Sequence, residues 1–448
     1  MKKNIIISLL LLCSVGVAAA QTTLKTGYFM DRMATSHKLN PALSPEYGYF
    51  AVPVLGDINF GLKSNLSLDN FIFPLDNGTL GLFAHPDVDS SEFLDGLKNN
   101  NVISQDFSLS ILSMGFHAFG GFNTFDISVR ETFDINLKKD LFAFMVGDSG
   151  DSSSYNMSGS SIDLSAWAEV GFGHSRKIND NLTVGAKVKL LFGAADANIS
   201  IDKLQFISNE ERVMLDVQGS GSVGILGLPL EGSLEDLALD ALDFSNGFNT
   251  GFGIDLGATY TMDKFTFSAA LTDLGFIRWS GPSTMLLSST LDFTGFEDLD
   301  INDFEGSTED DLQIFEDFTN DLSNPTFEST DPYSTWLSAK LNLGAEYEVF
   351  EDMLSAGALW STTFGPVTTT EFMLVGTYSP IKWFEIALSG TLSSYGSYWG
   401  WAMNFAPKWG FNFFIGSDAM FSRITPQGIP YSSSNFDLKF GLNIPLGR

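Results

Sequence analysis

The stretch that decides the fold is LTVGAKVKLLFG, residues 182–193. Its even positions are apolar: Leu182, Val184, Ala186, Val188, Leu190 and Phe192. Its odd positions include small, polar and charged residues: Thr183, Gly185, Lys187 and Lys189. Alternation with a period of two residues predicts a β-strand with two chemically different faces.

The same alternation recurs along the chain and predicts fourteen strands, most of them 11 to 15 residues long. They span 47–66, 105–117, 122–134, 159–175, 182–196, 248–261, 265–280, 334–348, 354–364, 368–379, 382–392, 397–407, 410–421 and 433–446. Strands of ordinary globular proteins average about 5–6 residues, whereas a tilted strand needs roughly 9–11 to cross a bilayer. The sequence therefore predicts an all-β fold, a transmembrane antiparallel β-barrel. The alternative, a soluble β-sandwich or propeller, would have shorter strands.

The connections between these strands alternate in length. Long loops are predicted at 67–104, 135–158, 197–247 and 281–333, all on one side, while both termini fall on the other. Short turns inside and longer loops outside are typical of outer-membrane barrels. Two of the loops contain sequences that resemble capping boxes and predict short helices, Asp89 to Leu97 and Ser233 to Leu242.

The first twenty residues read as a signal peptide, so we expect export to the outer membrane. Lys2 and Lys3 precede an apolar stretch, and small residues at 18–20 offer a cleavage site before Gln21. Cleavage would remove the only cysteine and two lysines, changing the formal charge from −30 to −32 (−30 − 2). No later stretch is long and apolar enough for a transmembrane helix.

The composition and motifs exclude several classes of function. A charge of −30 would repel nucleic acid, and 44% hydrophobic residues argue against disorder. The four histidines are isolated, and no metalloprotease or hydrolase motif is present, so we expect neither an enzyme nor a cofactor. A dinucleotide-type GSGSVG at 219–224 lacks a following helix. The acidic run 298–309 resembles an EF-hand loop but has Asp303 where that loop needs Gly.

The face opposite the apolar one carries charges of both signs. We expect twelve such residues to face the lumen: Asp126, Arg130, Asp163, Glu169, Lys187, Lys189, Asp255, Lys340, Glu346, Glu385, Asp437 and Lys439. They could line a water path or pair across the lumen as structural ion pairs, and the second reading is favoured. Wall side chains cannot fill a barrel of this width, so residues 21–46 are predicted to form an N-terminal plug, together with inward-folded loop segments.

The predicted loop 281–333 carries fourteen acidic residues and no basic one. Such a loop is usually a solvated face. It could also bind divalent cations that bridge lipopolysaccharide. The expected partners are therefore outer-membrane lipids, lipopolysaccharide and a small hydrophobic ligand, with the protein itself a monomer.

Just before the first strand, Asn40-Pro41-Ala42-Leu43 resembles the Asn-Pro-Ala motif of the long-chain fatty-acid outer-membrane transporter superfamily. That resemblance implies fourteen strands and an N-terminal plug. Three longer runs, 38–65, 121–130 and 182–193, resemble an uncharacterised Bacteroidetes barrel family, a domain of unknown function.

Two functions follow as expectations. The first is a barrel that binds or passes a small apolar or amphipathic molecule, although a charged inward face fits poorly with a purely hydrophobic conduit. The second is a non-transporting scaffold or secretion accessory that docks partners through its acidic outer loop. The resemblance supports the second as well, because related barrels hold partners of the type IX secretion system.

Overall fold

The structure is a computed structural model of the chain. It describes residues 23–75, 80–83, 85, 87–146, 152–155, 159–209, 212–226, 232–233, 248–294, 325–407, 409–420 and 435–446. None of the helices in these ranges is long and apolar enough to cross a membrane.

Fourteen long antiparallel strands form the wall, and two of them are broken into two pieces. The first seven are β1 (Gly48–Ala51 and Ile58–Ser64), β2 (Asn100–Ala118), β3 (Gly121–Lys138), β4 (Ser160–Lys177), β5 (Leu182–Asn209), β6 (Asn249–Met262) and β7 (Phe265–Trp279). The others are β8 (Tyr333–Trp336 and Ala339–Phe350), β9 (Leu354–Phe364), β10 (Thr369–Ile381), β11 (Phe384–Ser393), β12 (Gly396–Phe405), β13 (Asn412–Met420) and β14 (Phe436–Leu446).

The sheet closes on itself because the last strand pairs with the first. Phe50 lies opposite Ile444 and Phe60 opposite Leu438, so both pieces of β1 pair with β14. Closure leaves no edge strand in the wall, which removes a site of aggregation without any cross-link. The predicted fold class, an antiparallel barrel of fourteen strands, is confirmed.

The two faces of the wall differ as the alternation predicts. On β5, Leu190 is 49% exposed on the outer face, whereas its neighbour Lys189 is 4% exposed on the inner face. Leu388 on β11 and Trp399 on β12 are also exposed outward. Leucine and aromatic side chains thus form an apolar surface suited to lipid, and the charges point inward.

The segments predicted as long loops at 197–247 and 281–333 contain strands. β5 continues beyond the wall to Asn209 and pairs with a strand at Arg212–Ile225, which in turn pairs with one at Ser283–Thr294. Their Gly, Ser and Asp residues read as loop composition, but pairing can continue in water where neither face has to be apolar. The dinucleotide-like sequence 219–224 lies within this extension as part of a strand.

The loops also contain short helices. The first, α1 (Ser90–Asp95), begins where predicted, since the Asp89 side chain accepts a 2.8 Å hydrogen bond from the backbone N–H of Ser91. A second helix, α2 (Lys139–Met145), was not predicted. Most of the helix predicted at 233–242 and the acidic run 298–309 lie outside the described residues.

Residues 24–42 pack against the inner face of the wall. One buried cluster joins them to inward-facing side chains of β9 to β13: Leu24, Tyr28, Phe29, Met30, Met33 and Leu39 pack with Leu359, Met373, Val375, Ala387, Ala402 and Phe414. This is apolar burial inside a barrel, so the N-terminal segment supplies the core that wall side chains alone could not fill.

Candidate functional site

The Asn-Pro-Ala sequence forms a turn seated on the inner wall. The Asn40 side chain accepts a hydrogen bond from the backbone N–H of Ala42 at 2.9 Å and donates to the Tyr28 hydroxyl at 3.2 Å. The wall beneath it is glycine: a Cβ at Gly257 would lie 2.0 Å from Asn40 Oδ1, and one at Gly185 would lie 2.2 Å from the carbonyl oxygen of Pro41. The turn approaches the wall this closely because neither position has a side chain.

The start of the described chain is held by two carboxylates. The backbone N–H groups of Lys25 and Thr26 donate to Asp418 at 2.9 and 2.6 Å. The Lys25 ammonium donates to Glu371 at 2.6 Å, and Lys63 from β1 binds the same carboxylate. Burial lowers the pKa of Lys25, while Glu371 opposes that shift.

Asp437 and Lys439 of β14, both predicted to face the lumen, belong to the same group of charges as Lys25, Glu371 and Asp418. Lys439 forms an ion pair with Asp418 and lies 3.4 Å from Asp437, which accepts a 2.6 Å hydrogen bond from the backbone N–H of Asp418. All three side chains are at most 2% exposed. Two acids therefore share one lysine at the anchor of the N-terminal segment.

A second network crosses the middle of the lumen. The Arg130 guanidinium binds both oxygens of Asp273, at 2.6 and 2.8 Å, and reaches Glu169 at 3.0 Å. Lys189 lies 2.6 Å from Asp273 and 2.8 Å from Asp255. Lys340 approaches Asp273 at 3.8 Å. We call these six residues the central network. It leaves a space of only about 50 Å³ at its centre.

Next to the central network, Lys187 pairs with Asp126 at 2.7 Å. Asp126 also accepts from Ser113, whose hydroxyl lies 2.9 Å from that of Tyr49. The Tyr49 hydroxyl in turn bonds to His37 of the N-terminal segment at 2.6 Å. Burial lowers the pKa of His37 to about 3, and the ring is therefore neutral at physiological pH.

The remaining predicted residues lie apart from these groups. Glu385 is buried, accepts from Asn404 at 2.8 Å and lies 3.6 Å from Arg32 of the N-terminal segment. Glu346 is half-buried and lines a cavity of about 170 Å³ at the inner end, where the short turns lie. Asp163 lies at the opposite end.

Five of the twelve predicted charges thus meet in the central network, and four more form two pairs outside it, Lys187 with Asp126 and Lys439 with Asp437. Sequence analysis did not single out five charged residues of these two groups: Lys25, Lys63, Asp273, Glu371 and Asp418. Asp273 has a positive φ of 59° at an irregularity in the β6–β7 pairing, opposite Asp255. The alternation slips at this point of β7, and that slip is the signal that could have placed Asp273 inside.

A cavity of about 410 Å³ lies at the outer end, where the long loops emerge; we call it the outer cavity. One part of its lining is apolar: Leu164, Trp167, Ala197, Trp336, Leu337, Phe364 and Pro366. Another part is acidic, with Asp134, Asp163 and Asp196. Within the described part of the chain, no group of three or more His, Cys, Asp or Glu residues is arranged to hold a metal ion.

These features define the class of protein, a closed fourteen-stranded β-barrel of the outer-membrane type with its N-terminal segment in the lumen. The chain belongs to the Family of unknown function (DUF5723), whose model matches residues 41–418. The predicted membership in a barrel family of unknown function is confirmed.

Solved barrels show distant likeness to this chain. The toluene transporter TbuX of Ralstonia pickettii is 10% identical with a TM-score of 0.41, over 96% of this chain and 99% of TbuX. A FadL homologue of Pseudomonas aeruginosa is 11% identical with a TM-score of 0.46, over 96% and 99%. The toluene transporter TodX of Pseudomonas putida is 10% identical with a TM-score of 0.40, over 97% of each chain. No curated protein matches the sequence.

Proposed function

We propose that this protein is an outer-membrane barrel that binds a small amphipathic molecule at its outer end and passes it inward. The outer cavity carries the proposal. Its volume of about 410 Å³ lies within the range of roughly 300–1,000 Å³ typical of small-molecule sites. Aromatic side chains and a few polar groups share its lining, which is the usual composition of such a site.

Inward movement requires a rearrangement of the lumen. Below the outer cavity, the central network and the N-terminal segment fill the barrel, and the space of about 50 Å³ among the charges is too small for an organic ligand. We infer that the N-terminal segment acts as a plug in this form of the barrel. Passage would then need the segment to shift, with Lys25 and Thr26 leaving Glu371 and Asp418.

The test fills the outer cavity and measures ligand binding. Ser338 lines it at the break in β8, so Ser338→Trp places an indole in the cavity, whereas Ser338→Ala removes only a hydroxyl. Calorimetry of the full barrel in nonionic detergent with a small aromatic amphipath, 2-phenylethanol or its charged analogues, is expected to show binding to wild type and to Ser338→Ala. Binding should be lost in Ser338→Trp. Equal binding by Ser338→Trp, or no binding by wild type, contradicts the proposal.

The scaffold function remains a prediction from the sequence. Most acids of the 281–333 loop lie in 295–324, outside the described residues, so no contact in the structure favours docking there. Outer-membrane lipids and lipopolysaccharide remain the proposed surroundings of the apolar outer face, and a monomer remains the proposed state.

A further inference from the structure

We propose that the outer cavity selects amphipathic cations, molecules with an ammonium group on an apolar body, over neutral or anionic amphipaths. This inference rests on the proposed function, because it names the class of molecule that the same cavity binds. A preference for cations would exclude lipids that carry a carboxylate, such as fatty acids, as the ligand.

The first observation is a pair of like charges on neighbouring strands. Asp134 on β3 and Asp163 on β4 lie directly opposite each other in the ladder, and both line the outer cavity. Their hydrogen-bond donors are neutral: Ser104 for Asp134, and Ser161 and Asn198 for Asp163. Two carboxylates placed opposite each other repel, and hydroxyl or amide donors do not cancel the charge. A bound cation would cancel that charge.

A third carboxylate faces the same space. Asp196 on β5 is 4% exposed and accepts from the Tyr333 hydroxyl at 2.7 Å, again a neutral donor. No lysine or arginine is among the described residues that line the cavity. The guanidinium of Arg130 lies 5.1 Å from the centre of the Trp167 ring, but it is bound to Asp273 and Glu169. The described lining of the cavity therefore carries three carboxylates and no basic side chain.

The second observation identifies the cation as organic. The acids are not grouped closely enough to hold a metal ion. The cavity is far larger than an ion needs, and its lining includes the aromatic rings of Trp167, Trp336 and Phe364, which suit an apolar body. The Trp167 side chain is 2% exposed, yet its indole N–H has no acceptor in the described residues. A hydroxyl or carbonyl oxygen on the apolar body of the ligand would supply its partner, since an ammonium group only donates.

The experiment compares three molecules of similar shape and different charge. 2-Phenylethylamine is a cation at pH 7, 2-phenylethanol is neutral and phenylacetate is an anion. Calorimetry of the full barrel in nonionic detergent is expected to show the amine binding about tenfold or more tighter than the alcohol, with phenylacetate weakest. Added salt should weaken the binding of the amine but not that of the alcohol.

The carboxylates are tested with Asp163→Asn/Asp196→Asn and, separately, with Asp134→Asn, which keep side-chain shape. The double variant should bind the amine no better than the alcohol, while Asp180→Asn, at a fully exposed turn position, should keep the preference. Retention of the preference in the double variant, or an amine that binds no tighter than the alcohol to wild type, overturns the inference and leaves the proposed function standing. Failure of all three molecules to bind wild type overturns both.

Discussion

Gly185 and Gly257 lie directly opposite each other in the ladder between β5 and β6, and together they form the bare patch of wall that receives the Asn40–Pro41 turn. Glycine in a strand interior usually weakens the strand, because it contributes no side chain to packing. Here the missing side chains create the space in which the N-terminal segment is seated.

Substitution of Gly257 by alanine should displace that turn. The new Cβ would lie 2.0 Å from Asn40 Oδ1 and 2.9 Å from the Pro41 ring, and the backbone of a paired strand cannot retreat. We expect limited trypsin digestion to cleave after Lys38 faster in Gly257→Ala than in wild type. Gly376→Ala is the matched control, since its Cβ would meet no heavy atom within 4 Å. Identical digestion of both variants and wild type would show that the turn is not held by this contact.

Loss of Arg130 should destabilise the barrel strongly. Arg130→Ala removes the ion-pair partner of buried Glu169 and one of the partners of Asp273, and breaking a buried pair from one side costs about 3–5 kcal/mol. Denaturant unfolding in lipid vesicles measures the loss in the free energy of unfolding. Lys177→Ala removes an exposed ion pair with Asp180, 3.3 Å long, and should cost at most about 1 kcal/mol. Similar losses in the two variants would mean that the central network does not contribute more than a surface pair.

His37 should make stability depend on pH. Burial depresses its folded-state pKa to about 3, whereas an unfolded chain would protonate it near 6.5. The unfolded state therefore binds more protons between these values, and stability falls as the pH drops from 6.5 towards 3, by about 1.4 kcal/mol per pH unit. Denaturant midpoints at pH 4.5 and 7 measure the effect. His37→Gln should reduce the pH dependence. An unchanged slope in His37→Gln would contradict a buried neutral imidazole.

A charge on the outer face of β5 should reveal the membrane. Leu190 is 49% exposed near the middle of the wall, and Leu190→Lys would place an ammonium group in hydrocarbon at a cost of about 2–4 kcal/mol. A soluble protein would tolerate the same change at an exposed site with little effect. Phe119→Lys, at an 84% exposed turn, should cost about 1 kcal/mol or less. Unfolding in lipid vesicles compares them, and equal small losses would argue against a lipid-facing wall.

The strand count was predictable because each wall strand alternates between two faces. One face must be apolar to contact lipid, and the other carries the polar and charged side chains. The interruptions were less visible. β1 is broken between Ala51 and Ile58, and β8 between Trp336 and Ala339, although the predictions ran through both positions. The end of β5 was also missed, because beyond the bilayer the alternation no longer has to separate apolar from polar residues.

Inward charges could be predicted one at a time, but their pairing could not. Arg130 and Asp273 are 143 residues apart, and only closure of the barrel and the bulge near Asp255 bring them together. Glu371 and Asp418 contact Lys25 of the N-terminal segment for the same reason, because the curvature of the wall determines which side chains meet inside the barrel. Asp134 and Asp163 become a like-charged pair only once the β3–β4 register is known.

The anchoring of Lys25 has a consequence for the order of assembly. Its backbone N–H binds Asp418, 393 residues later in the chain, and β1 cannot pair with β14 until the C-terminus has arrived. Contacts between such distant residues form late, because a long loop must close before they stabilise anything. We therefore expect the contact of Lys25 with Asp418 and the pairing of β1 with β14 to form together, as the last step of folding. A nascent barrel that sealed before its leading segment was inside would be trapped empty.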